Sequence, residues 1–228
     1  MKSFAVFALL AFGFCLYGAA EDLETLRKAA EAAVKAAEAA PKDYTTNWKA
    51  AMACRKYGEE LVEQEASGWK DSAKKTAKEG MKYGEIAQKL NPTGIEGWYW
   101  YGLCVGTYSD CVSILTALGE GLKGKTQKSF ETSYNLDKTY DNGGPILSLG
   151  RFWHVLPGIA GKDLKKAESL YNEYISLFGS KPDANKDAWY FRGELYKETK
   201  RTAEAKADLQ KAASMGQKDA AKLLAEMK

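Results

Sequence analysis

Histidine is nearly absent, with one in 228 residues. That excludes His-cluster metal sites and most triad-type or two-His mechanisms. Charge of one sign is also lacking: 33 Lys+Arg against 30 Asp+Glu leave a formal +3, too little for a nucleic-acid binder. Proline is scarce, at five residues, so each one is informative about where helices stop. No glycosylation acceptor is present, because Asn91-Pro92-Thr93 is blocked by its proline. No segment keeps a period-2 alternation, which argues against strands. What is there is 45% hydrophobic and 28% charged, the mix of a folded soluble protein.

The apolar run from Phe4 to Tyr17 is too short to span a bilayer as a helix. Lys2 precedes it, and Gly18-Ala19-Ala20 offers small residues for cleavage before Glu21. Residues 1–20 therefore read as a secretory signal peptide, with export to the periplasm or beyond. Cys15 raises lipidation, but Phe14 stands where a lipobox wants a small residue, so an anchor is not favoured. Residues 21–228 then form one domain. Of its three cysteines, Cys104 and Cys111 lie about 10.5 Å apart along one helix, too far for a disulfide. Cys54 and Cys104 either pair across adjacent helices or are buried thiols.

The remaining chain repeats itself. Trp48-Lys-Ala-Ala-Met52, Trp98-Tyr-Trp-Tyr-Gly102, Ile146-Leu-Ser-Leu-Gly150 and Trp189-Tyr-Phe-Arg-Gly193 align, with anchors 50, 48 and 43 residues apart. In three of these segments a glycine follows the anchor by four, mid-helix, where it costs about 1 kcal/mol relative to alanine. Repetition of that cost predicts a second helix crossing close against the glycine. Second helices follow each anchor: Gly80, Gly84, Ala87; then Phe130, Ser133; then Ala167, Tyr171, Tyr174; then Ala205, Leu209, Ala212. Ala29, Ala33 and Ala36 read as a further second helix lacking its partner. Pro41, Pro92 and Pro182 close helices, and Pro145 suits the first turn of one.

The last copy, Trp189, Gly193, Tyr196, Ala205, Leu209, Ala212, resembles the tetratricopeptide repeat (TPR) family. The resemblance implies an all-α, right-handed solenoid of helix pairs. The expected order is a helix over 21–41, repeats at about 45–92, 95–138, 143–182 and 186–215, and a capping helix over 217–228. The apolar insertion from Tyr108 to Leu122 is expected to add a short helix. By the same resemblance, residues one, five and eight past each anchor line a concave face: Lys49, Tyr99, Leu103, Leu147, Arg151, His154, Tyr190, Glu194 and Lys197. Tyr99 and Tyr190 have a second reading, as packing against neighbouring helices. Trp98, Trp153 and Trp189 are expected in the core.

Gly119-Glu-Gly121-Leu-Lys-Gly124-Lys125-Thr126 satisfies the P-loop pattern. Its surroundings are helical repeats rather than a strand–loop–helix unit, so it reads as a glycine-rich turn within the insertion. No nucleophile motif accompanies His154, and no catalytic residue, metal or cofactor is expected.

Asn91-Pro92 with Gly97-Trp98-Tyr-Trp100-Tyr-Gly102, and Asp141-Asn-Gly-Gly144-Pro145 with Leu149-Gly150-Arg151-Phe-Trp153, further resemble the TatT-type component associated with TRAP transporters. Leu156-Pro157-Gly158 and Lys165-Lys166-Ala167 extend the likeness. It implies a non-enzymatic exported scaffold whose partner is a periplasmic solute-binding protein, sometimes as an oligomer. The alternative is binding of a small organic ligand by Tyr99, Trp100, Arg151 and the 108–122 insertion.

Overall fold

A computed structural model describes residues 22–65 and 68–227. The expected signal peptide, Cys15 included, lies outside them. Among the described residues there are eleven α-helices and no strand. They form two compact units divided between Asp137 and Lys138, where the sequence suggests one continuous domain.

The first unit holds α1 (Leu23–Ala39), α2 (Tyr44–Gln64), α3 (Trp69–Leu90), α4 (Ile95–Asp110), α5 (Ile114–Gly119) and α6 (Leu122–Asp137). Helix α1 packs on α2, and α4 lies against α2, α3 and α6. Local chemistry starts these helices: the Asp43 carboxylate accepts from the Thr46 amide at 2.6 Å, and Ser113 caps α5 through the Thr116 amide. Pro41 and Pro92 fall just past the ends of α1 and α3. The α1 stripe is one residue out of phase with the expected one. Leu26, Ala30, Val34 and Ala37 are buried, while Ala29 and Ala36 are exposed. An alanine-rich helix carries almost the same pattern at two phases, and Leu26 and Val34, its bulkier members, decide between them.

The second unit holds α7 (Tyr140–Val155), a 3-10 turn (Gly158–Ala160), α8 (Leu164–Phe178), α9 (Asp187–Glu198), α10 (Thr202–Ser214) and α11 (Lys218–Glu226). Asp141, Asn142 and Gly143 all take positive φ, so the regular part of α7 begins after them and Pro145 stands in its first turn. Gly143 is required twice over: its φ is +81°, and a Cβ there would lie 2.8 Å from Tyr174 and 2.7 Å from Phe178.

The repeated glycines are contact points between helices. A Cβ on Gly102 would meet the Phe130 ring at 2.7 Å, on Gly150 the Tyr171 ring at 2.8 Å, and on Gly193 Leu209 at 2.8 Å. Each anchor helix thus touches the large residue of its following helix. The first pair, with Met52 in the glycine place, moves the close approach onto α3. There Gly80 lies between Cys54 and Cys104, and Gly84 lies against Tyr101.

Candidate interaction site

The proposed face divides sharply by burial. Tyr99, Leu103 and Leu147 are buried to within 2% exposure, and Trp100 is buried too, so all four are packed in the cores rather than presented to a partner. For the three residues of α4 their place in the repeat explains this. Helix α4 is enclosed by α2, α3 and α6, so a residue one or five past its anchor meets another helix. Of the two readings open for Tyr99, the structure takes packing. Lys49 is exposed, its ammonium 5.7 Å from the Trp48 ring.

Arg151, His154, Tyr190 and Glu194 are brought together within the second unit. They come from α7 and α9, the first helices of successive pairs. Arg151 Nη1 donates to Glu194 Oε2 at 2.7 Å, and the Tyr190 hydroxyl donates to Glu194 Oε1 at 3.1 Å. The guanidinium lies 4.4 Å from the Phe191 ring centroid. Arg151 is buried, while Glu194 and Tyr190 keep part of their surface in solvent. Burial opposes the charge on Arg151, but the Glu194 carboxylate outweighs it and holds its pKa above the ordinary value. Burial first, and then the Glu194 charge, pushes the Tyr190 phenol upward.

His154 Nδ1 lies 3.2 Å from the Tyr171 hydroxyl, and its Nε2 is 3.5 Å from Glu198 Oε2. The Glu198 carboxylate is already taken by Lys162 at 2.6 Å. Burial, and then the Arg151 and Lys162 charges, lowers the His154 pKa to about 3. The ring is therefore neutral despite its carboxylate neighbour. In the unfolded chain it takes up a proton below about pH 6.5, while in the fold it stays neutral down to about pH 3. Its contribution to stability is therefore complete above about pH 6.5 and is lost as pH falls toward 3. Urea titrations at pH 6.5 and 4.5 should show His154→Gln losing about 2–3 kcal/mol less than the wild type between the two. An equal loss would remove His154 as the source.

Sequence reasoning missed the partners of this set. Tyr171 is expected only in the stripe of α8, and Phe191, Glu198 and Lys162 sit outside the anchor register. So does a second cluster, in which Arg192 donates to both Asp208 oxygens at 2.6 and 2.8 Å and to Asn172 Oδ1 at 2.7 Å, linking α8, α9 and α10. Their sequence separations carry no motif. Lys197 turns outward, donating to Glu226 at 3.2 Å. Trp153 and Trp189 are buried as expected, but Trp98 is only half-buried, its indole N–H donating to the Pro92 carbonyl at 2.8 Å.

The P-loop-like segment is the end of α5, a turn at Gly121 (φ +65°) and the start of α6. Thr126, which a P-loop would direct at a metal, is buried and donates to its own helix at the Leu122 carbonyl. Cys54, Cys104 and Cys111 are free thiols. Burial raises Cys54 to about 12 and Cys111 to about 11, and pushes Cys104 higher still. At neutral pH they are protonated and poorly nucleophilic. Among the described residues no three His, Cys, Asp or Glu side chains converge as metal ligands.

Comparison with known proteins completes the site's context. Residues 17–141 match the family model described as Regulator of microtubule dynamics protein 1-3. The chain belongs to this family. The matched stretch holds all of the first unit's helices and reaches the left-handed turn opening α7. No curated protein matches by sequence. Among solved structures, TTC0263, a thermophilic TPR protein of Thermus thermophilus, superposes with a TM-score of 0.60. The match covers 90% of this chain and 91% of that one at 16% identity, a likeness of fold alone. The fold is accordingly an all-α, TPR-like repeat of stacked helix pairs. The Arg151–Glu194–Tyr190 group lies beyond the matched stretch, in the second unit.

Proposed function

We propose that the protein is an exported, non-enzymatic scaffold that holds a partner protein on the face bearing Tyr190, Glu194 and Lys197, and that this partner is a periplasmic solute-binding protein of a TRAP-type transport system. The observation that supports this reading is the half-exposed Tyr190–Glu194 pair, held in place by buried Arg151. A rigid aromatic and a carboxylate fixed by an internal cation are pre-organised for contact, which lowers the entropy lost on binding. The finer part of the reading rests on the leader-like residues 1–20 and the TatT-type motifs around Trp98 and Arg151. Self-association remains compatible with it, and a lipid anchor at Cys15 is not required.

Affinity capture with the full chain from a periplasmic extract tests it. A solute-binding protein should be retained, and Tyr190→Ala with Lys197→Glu should weaken retention by at least about tenfold. Unchanged retention in that variant would discard the face. If the chain cosediments with microtubules and retains no periplasmic protein, the activity for which the family is named would replace the transport reading. The small-ligand alternative has less support, since Tyr99 and Trp100 are packed in the core of the first unit.

A further inference from the structure

The insertion helix α5 has two apolar faces. On the inner one, Ala117 joins Val112 and Met81 against a core of Ala77, Tyr101, Val105, Tyr108 and Leu122. On the outer one stand Leu115, 77% exposed, and Leu118, 53% exposed, with Ile114 at the edge. Single exposed leucines are ordinary, but three large aliphatics within one short turn form a patch that water does not favour.

Lysines lie on the neighbouring helices α3 and α6. Lys70 and Lys74 of α3 act electrostatically on Cys111, which caps α4 just before the insertion. The Lys78 ammonium lies 5.1 Å from the Tyr108 ring. Lys123 and Lys125 are exposed in the first turn of α6. The nearby acids are fewer. Glu120 accepts from the Tyr108 hydroxyl at 3.1 Å, and Asp71 and Asp110 sit at the ends of α3 and α4 nearest the insertion. Trp69, half-exposed at the start of α3, has its ring 5.4 Å from the Lys70 ammonium.

We propose that α5 and its lysines form a docking surface for an anionic lipid bilayer. Leu115 and Leu118 enter the boundary between headgroups and acyl chains, while Lys70, Lys78, Lys123 and Lys125 meet the phosphates. A projecting aliphatic wedge with a cationic rim matches the polarity gradient of that boundary. A partner helix instead seats in a groove, where the apolar lining is recessed. No helix among the described residues is long and apolar enough to cross a membrane, so the mode is surface adsorption. It uses neither Tyr190 nor Lys197 and stands apart from partner capture.

Hydrogen exchange on the full chain tests the contact locally, so that other membrane-seeking segments do not mask it. With phosphatidylcholine vesicles carrying about 30% phosphatidylglycerol, amides of residues 112–124 should exchange at least about fivefold more slowly than in buffer. Leu115→Ser with Leu118→Ser should abolish the slowing at unchanged helicity, and Lys123→Glu with Lys125→Glu should reduce it. Absence of slowing in the wild type, or equal slowing in the leucine variant, overturns the proposal. Slowing by an acidic polypeptide but not by vesicles also overturns it and assigns the patch to a protein ligand.

Discussion

Leucine at Gly84 is expected to lower the stability of the first unit by about 3 kcal/mol, among the largest effects of any single substitution outside the buried charges. A Cβ at this position would stand 2.8 Å from the Tyr101 Cβ and 3.0 Å from its Cα, so the obstacle is the backbone of α4 and not a side chain that can rotate away. The helix gains up to about 1 kcal/mol in propensity from losing a glycine, and steric displacement of α3 from α4 outweighs that gain. Urea unfolding followed by circular dichroism should show a midpoint lower by about 1–2 M. The control is Gly124 of α6, where a Cβ would meet nothing within 4 Å. Gly124→Ala should raise stability by up to about 1 kcal/mol. If both variants behaved alike, Gly84 would not be a contact point between α3 and α4.

Removing the carboxylate of Glu194 is expected to cost about 3 kcal/mol, because it breaks the ion pair that faces the buried Arg151 guanidinium. The part-exposure of Glu194 places the figure at the lower end of what breaking a buried pair costs. Replacing both partners, Arg151→Met with Glu194→Met, should recover most of the loss, since an apolar pair needs no counter-charge. Thermal unfolding of Glu194→Ala, Arg151→Met and the double variant separates these outcomes in a double-mutant cycle. Additive losses would mean that the two side chains contribute independently. Arg151→Glu is for the same reason a stability variant and would mislead as a test of binding. Tyr190 and Lys197, being nearer solvent, are better probes of a partner.

Much of the repeat organisation is legible in the residues. The second-helix stripes Ala167–Tyr171–Tyr174 and Ala205–Leu209–Ala212 are buried where their spacing places them. The phased glycines announce the helix crossings, and Pro41, Pro92 and Pro145 mark ends and a beginning. The α1 stripe slips by one residue because alanines differ too little in size to fix a phase. The candidate site is half legible. Arg151, His154, Tyr190 and Glu194 come together in the second unit, but Tyr99, Leu103 and Leu147, chosen by the same register, are core. A register says which face of a helix a residue occupies, and cannot say whether that face meets water or another helix.

Residue types and short spacings are enough to establish the near absence of histidine chemistry, the helical class, the paired repeat and the places where helices stop. Which stripes are covered is a different matter, because burial depends on residues distant in the chain, and it emerges only when the helices pack. Packing makes the lone histidine neutral through burial and the Arg151 and Lys162 charges. It also joins Arg151 to Glu194 across 43 positions, and leaves Leu115 and Leu118 of the insertion facing solvent.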